Sequence, residues 1–112
     1  MVANATIRMI LETDKEANAR VVLARVGKLV QFELRSLAPY SKGGFEANVV
    51  VTSTGATWPE VVQSVIEVAQ SLASGWGLGG AIGDEIELDA DKGFRVPGIR
   101  FAWIVCTRPN DS

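Results

Sequence analysis

The sequence contains very few of the residues that build metal sites and imidazole-dependent active sites. Among its 112 residues there is one cysteine, Cys106, and no histidine. A disulfide within the chain is therefore excluded, and so are a zinc site of the usual Cys and His ligands and a catalytic triad that depends on histidine. A reactive thiolate at Cys106 would need an arginine beside it to lower its pKa, so we expect a buried, unreactive thiol.

Charge of one sign and long apolar runs are also scarce. The chain has 11 basic and 13 acidic residues, a net charge of −2, and no basic block, which argues against a nucleic-acid partner. No stretch of about 18 apolar residues could span a bilayer, and residues 1–5 lack the basic start of a signal peptide. We therefore expect one cytoplasmic domain over residues 1–112 with no membrane partner.

Hydrophobic periodicity is what the sequence does contain, and it predicts most of the secondary structure. Alternating apolar residues predict strands over residues 6–13, 29–37, 45–52, around 86–88 and 99–107. Thr57 and Glu60 have the capping-box spacing, and the wide apolar stripe behind them predicts a helix over residues 58–74.

Residues 14–26 allow two interpretations. Thr13 and Glu16 repeat the capping-box spacing, which favours a helix. Val21, Val22 and Val26 are β-branched, which favours a strand, so the pattern leaves both open.

The order of the elements predicts an α+β fold. With residues 14–26 helical, it matches a ferredoxin-like βαββαβ sandwich with one extra strand, in which the helices cover one face of an antiparallel sheet. The rival is an antiparallel sheet with a single helix.

Residues 75–80 match the pattern G-x-G-x-x-G, but their context argues against a dinucleotide cofactor. The glycines follow a helix and precede a strand, so no helix N-terminus would face a phosphate. Trp76, inside this run, is a candidate for closing a pocket or packing on a partner, and it could equally fill the core. We expect no cofactor.

A second cluster places five carboxylates within residues 84–91. Asp89 and Asp91 resemble the start of a calcium loop, but Gly93 stands where a third acidic ligand would be needed and Lys92 adds a competing cation. We expect no metal and interpret the segment as an exposed edge strand.

Assembling the predicted strands gives the main candidate site, the sheet face that the helices leave uncovered. Strict alternation predicts an apolar centre with a charged rim there, the anatomy of an interface. The alternative is an ordinary solvated face. The candidate residues are Arg8, Ile10, Glu12, Glu33, Arg35, Asn48, Val50, Arg100, Ala102 and Ile104, joined by Trp76 in the glycine run.

Three functions fit these observations. The first is a small non-catalytic binding module, expected to be homo-oligomeric, that holds a second copy, a partner protein or a small ligand. The second is a cofactor-free enzyme of small-molecule metabolism in which Glu12, Glu33, Asn48 and Arg100 polarise a substrate. The third is an antitoxin-like or immunity-type inhibitor whose acidic segment blocks a basic partner, since residues 57–112 carry 4 basic and 8 acidic side chains.

Overall fold

A computed structural model describes residues 1–110 as one antiparallel sheet packed against two helices. The elements are β1 (Val2–Leu11), α1 (Glu16–Val26), β2 (Glu33–Pro39), β3 (Phe45–Thr54), α2 (Trp58–Leu72), β4 (Gly77–Leu78), β5 (Glu85–Ala90) and β6 (Ile99–Thr107). The strands lie in the order β2-β3-β1-β6-β5-β4. The expected α+β class is confirmed.

β1 runs through the middle of the sheet. It pairs with β3 along its whole length and with β6 from Ala5 to Leu11. Because side chains alternate across a strand, one set of β1 residues faces the helices and is buried, while most of the other set is exposed. The buried set is Ala3, Ala5, Ile7, Met9 and Leu11.

Residues 16–26 are helical, which decides between the two interpretations of this segment. The predicted capping box at its start is wrong. The N-cap is Lys15, which makes no side-chain cap, and the Thr13 hydroxyl instead accepts a hydrogen bond from the Lys15 N–H at 3.2 Å. The hydroxyl therefore closes a local turn ahead of the helix. Ala19, Val22 and Leu23 pack into the core.

α2 begins as predicted. The Thr57 hydroxyl accepts from the Glu60 N–H at 3.4 Å, and the Glu60 carboxylate accepts from the Thr57 N–H at 3.2 Å, which completes the capping box. The helix ends at Leu72, two residues before the predicted end. No helix within residues 1–110 combines the length and hydropathy needed to cross a membrane.

β2 begins four residues later than predicted. Leu29 and Val30 donate their N–H groups to the Val26 carbonyl, so they complete the turn after α1 instead of starting a strand. β2 and β3 form an antiparallel hairpin. Its turn depends on Gly44, whose φ is +88° and where a Cβ would collide with the Leu11 carbonyl oxygen.

Beyond β6 the sheet continues with the predicted strand β5 and then with the two-residue β4. The sequence pattern does not predict β4. The sheet thus has six strands where five were expected, and its order differs from that of a four-stranded ferredoxin-like sheet.

Candidate functional site

The candidate site is the side of the sheet opposite the helices, which we call the open face. The β1 residues on it carry even numbers, and the cross-strand pairing identifies their neighbours. Its central residues are Thr6, Arg8, Ile10, Ser36, Glu46, Asn48, Val50, Phe101, Trp103 and Val105.

β6 faces the opposite way from the prediction. Ala102 and Ile104 are 1% and 0% exposed and lie opposite Met9 and Ile7, on the helix-covered face. Neither residue can belong to an exposed surface, so their placement in the open face is wrong. Alternation separates the residues of a strand into two sets but does not say which set is buried.

The open face therefore carries the aromatic set of β6. Phe101, Trp103 and Val105 are each partly buried, and nothing from the two helices covers them. The rings of Phe101 and Trp103 have centroids 4.0 Å apart with their planes tilted by 49°. Such contacts between aromatic rings hold both side chains in a defined orientation.

Arg100 is not one of the central residues of the open face. Leu11 pairs with Ile99 and Ile10 pairs with Phe101, so Arg100 is the extra residue of a β-bulge. Its guanidinium donates to the Gly43 carbonyl at 3.2 Å, beside the β2–β3 turn.

Arg8 occupies the middle of the open face and links its aromatic and polar residues. Its Cζ atom lies 4.6 Å from the Trp103 ring centroid and 5.8 Å from that of Tyr40. Its Nη2 donates to Glu46 Oε2 at 2.8 Å. The guanidinium is thus stacked on an aromatic ring and paired with a carboxylate at once.

Polar contacts continue from Glu46 toward the β2 edge. Asn48 Nδ2 lies 3.2 Å from Glu46 Oε1 and 3.1 Å from Ser36 Oγ, and it donates to both. The hydrogen bond from Arg8, followed by that from Asn48, holds the pKa of Glu46 below its ordinary value of 4.5. Glu46 is therefore a fixed negative charge at neutral pH.

The remaining candidates do not converge on one pocket. Glu33 lies opposite Val50, whose β1 partner is Thr6. Glu12 follows the end of β1, where its N–H donates to the Gly98 carbonyl. At roughly 3.3 Å per strand residue the two carboxylates are about 20 Å apart along the sheet, so Glu12 and Glu33 cannot act on the same group of a substrate.

Ile10 belongs to the open face by its register but is only 3% exposed. It lies between Glu46 and Phe101 and is separate from the main core cluster. It contributes a small apolar floor and little accessible surface.

Trp76 does not reach the open face. Its indole N–H donates to the Ala69 carbonyl at 2.6 Å, and the partly buried ring packs on the core. This contact ties the glycine run to the last turn of α2. Of the two interpretations offered for Trp76, the core filler matches its position.

The cysteine and the acidic segment carry no reactive or metal-binding geometry. Cys106 is 1% exposed, and burial raises the pKa of its thiol. Among residues 1–110, no group of three Cys, Asp or Glu side chains is positioned to hold a metal ion. Instead, Glu85, Glu87 and Asp89 extend the open face beyond β6.

Two shallow depressions mark the open face. One, of about 300 Å³, is lined by Thr6, Arg8, Asn48, Trp103 and Val105. The other, of about 450 Å³, lies at the β2 edge, where Gln31, Glu33, Arg35 and Thr52 are among its lining residues. Both open broadly to solvent, unlike the concave sites that enclose most of a small ligand.

The edges of the sheet are poor places for a partner strand. β2 carries a bulge between Leu34 and Ser36, the Glu33–Arg35 ion pair at 3.6 Å, and Pro39 at its end. β4 has only two residues. Bulges, charges, proline and very short strands are the devices that discourage edge pairing.

Comparison with protein-family models, with curated proteins and with solved structures finds no match for this chain. The geometry of the open face is therefore the basis for proposing a function.

Proposed function

We propose that this protein is a non-catalytic binding module and that the open face holds its protein partner. The observation that carries the proposal is the partly exposed Trp103, with Phe101 and Val105 beside it, at the centre of a face that no helix covers. Tryptophan and arginine are enriched among the residues that dominate binding energy at interfaces, and here Arg8 stacks on Trp103.

A protein partner fits this surface better than a small ligand. The two depressions are open to solvent and would leave much of a small ligand exposed. A cluster of aromatic and apolar residues bordered by charged groups, as Phe101, Trp103 and Val105 form here, is the usual anatomy of a protein interface. The blunted edges leave the face as the larger accessible surface of the sheet.

The enzyme hypothesis has less support. Glu12, Glu33, Asn48 and Arg100 were its catalytic candidates, but Glu12 and Arg100 lie near one end of the sheet, whereas Glu33 lies well along it. A reacting atom cannot be within hydrogen-bond distance of groups so far apart.

The proposal is tested with a photo-cross-linking amino acid placed at Thr6, on the open face, or at Gln63, on the exposed side of α2. Both variants are expressed in the organism that encodes the protein. We expect discrete adducts from position 6 that disappear when Trp103→Ala is added, and none from position 63. Equal labelling from both positions, or no adduct from position 6, would contradict the proposal.

We also propose that β2, β3, β1 and β6 form a ferredoxin-like core to which β5 and β4 are added. Their mutual order, β2-β3-β1-β6, and the positions of α1 and α2 along the chain support this assignment. The addition beyond β6 widens the open face by one acidic strand.

A further inference from the structure

We infer that the partner bound by the open face is a basic protein surface, one that presents lysine or arginine side chains beside apolar ones. The inference rests on the proposed function and specifies the chemistry of the partner. Its basis is the arrangement of charge around the aromatic centre.

The first observation is a row of carboxylates beside the apolar residues of β6. Glu87 lies opposite Val105 and Asp89 opposite Trp103, while Glu85 lies opposite Thr107. Neighbouring strands are separated by about 4.8 Å. A partner side chain resting on Trp103 or Val105 would therefore be within reach of a carboxylate.

The second observation is that these carboxylates are unpaired. The ion pairs among residues 1–110 are Arg8–Glu46, Arg20–Glu16, Arg35–Glu33 and Arg108–Asp84, and none of them includes Glu85, Glu87 or Asp89. The strand register and the two depressions together place five carboxylates and two guanidinium groups on the open face, which is a net charge of −3. The charged residues are Arg8, Glu33, Arg35, Glu46, Glu85, Glu87 and Asp89.

This charge argues against a second copy as the occupant. Two-fold association places the same patch on both sides of the contact, so two surfaces that each carry −3 would oppose one another. Like charges brought together at an interface cost binding energy. A basic surface meets the same patch with the opposite sign.

Arg8 shows within the chain how such a partner would be held. Its guanidinium lies over Trp103 and pairs with Glu46. A partner arginine or lysine on the β5 side of Trp103 would make the same two kinds of contact. Its cation or its apolar stem would lie on the Trp103 ring, and its charge would lie near the Asp89 carboxylate. This identifies the antitoxin-like or immunity-type inhibitor as the form of binding module that the surface favours.

The test uses two fluorescein-labelled peptides of alternating sequence, (Lys-Val)4 and (Glu-Val)4, with binding followed by fluorescence anisotropy. The variant E85Q/E87Q removes two carboxylates from the open face. The matched control, E16Q/E67Q, removes two exposed carboxylates from the helices. Both variants change the net charge by the same amount, so a long-range charge effect alone would affect them equally.

We expect the lysine peptide to bind and the glutamate peptide not to bind. We expect E85Q/E87Q to weaken binding at least fivefold and the control less than twofold. Equal loss in the two variants, or no preference for the lysine peptide, would overturn the inference. So would sedimentation equilibrium showing a dimer that Trp103→Ala dissociates, since the occupant would then be a second copy. In that case adducts from position 6 would still support the binding module. Failure of the inferred basic partner is thus distinguishable from failure of the proposed function.

Discussion

The two faces of the sheet differ in the chemistry of their central side chains. On the helix-covered face the inner strands carry buried aliphatic residues, among them Ala5, Ile7 and Ile104, all 1% exposed or less. On the open face the same strands carry Trp103, Phe101 and Arg8. Aliphatic side chains on the covered face are buried against the helices, whereas aromatic side chains on an uncovered face offer contact surface to a partner. Aromatic residues therefore occur both in the core, where Phe45 and Trp58 are buried, and on the open face, where Phe101 and Trp103 lie.

A carboxylate introduced on either face of β6 should have opposite effects on folding. Ile104→Asp would put a carboxylate into a fully buried site, where burial without a partner is very costly. We expect this variant not to fold. Val105→Asp changes the neighbouring residue on the open face and should leave the protein folded. Circular dichroism and thermal melts compare the two, and a folded Ile104→Asp variant would reverse our assignment of the faces.

A second variant, Thr57→Ala, destabilises helix α2 and leaves the open face unchanged. Thr57→Ala removes the hydroxyl that caps α2, and loss of such a cap costs roughly 0.5–2 kcal/mol. We expect the urea midpoint to fall accordingly. Thr6→Ala, on the open face, serves as the control and should change stability by less than about 0.5 kcal/mol. An unchanged midpoint in Thr57→Ala would show that the cap contributes nothing.

The polar network of the open face should contribute only a little to the free energy of unfolding. The pKa of Glu46 in the folded protein lies below its ordinary value of 4.5, so its ionised form stabilises the fold above that pH. This contribution is lost as the pH falls through the lowered pKa. Because Arg8 and Glu46 are partly exposed, the contribution is about 0.2–1 kcal/mol.

Glu46→Gln should therefore be less stable than the parent at pH 7, and the difference should shrink as the pH falls below 4.5. Urea unfolding at several pH values measures this. Arg8→Met should show the same pH dependence, and the double variant should add little to either single change. A difference that stays constant with pH would rule out the ion pair as its cause.

Much of the fold could be predicted because local signals agree with the tertiary structure. The start of α2 follows from Thr57 and Glu60, and β6 has the predicted bounds of residues 99–107. The late start of β2 could not be predicted, because Leu29 and Val30 continue an apolar alternation while their N–H groups bond back to α1.

The orientation of β6 follows from its neighbour β5 only once the pairing of the two strands is known. Ile86 and Leu88 alternate with three acidic residues, so their side of β5 must be the buried one. Side chains directly opposite each other in an antiparallel pair lie on the same face, and Leu88 pairs with Ile104. The individual strand patterns lack this pairing, and it is the pairing that reveals Trp103 as the centre of the site.

Because β6 is the last strand along the chain, it also determines when β1 gains its second partner during synthesis. β1 is made first, but one of its two neighbours in the sheet is the last strand of the fold. Until residues 99–107 are available, one edge of β1 has no partner, and Ile7 and Met9 lack the side chains that complete their layer. Contacts this distant in sequence slow folding. Ribosomes stalled before Ile99 would therefore hold nascent chains with an exposed central strand, the kind of edge that recruits chaperones or aggregates.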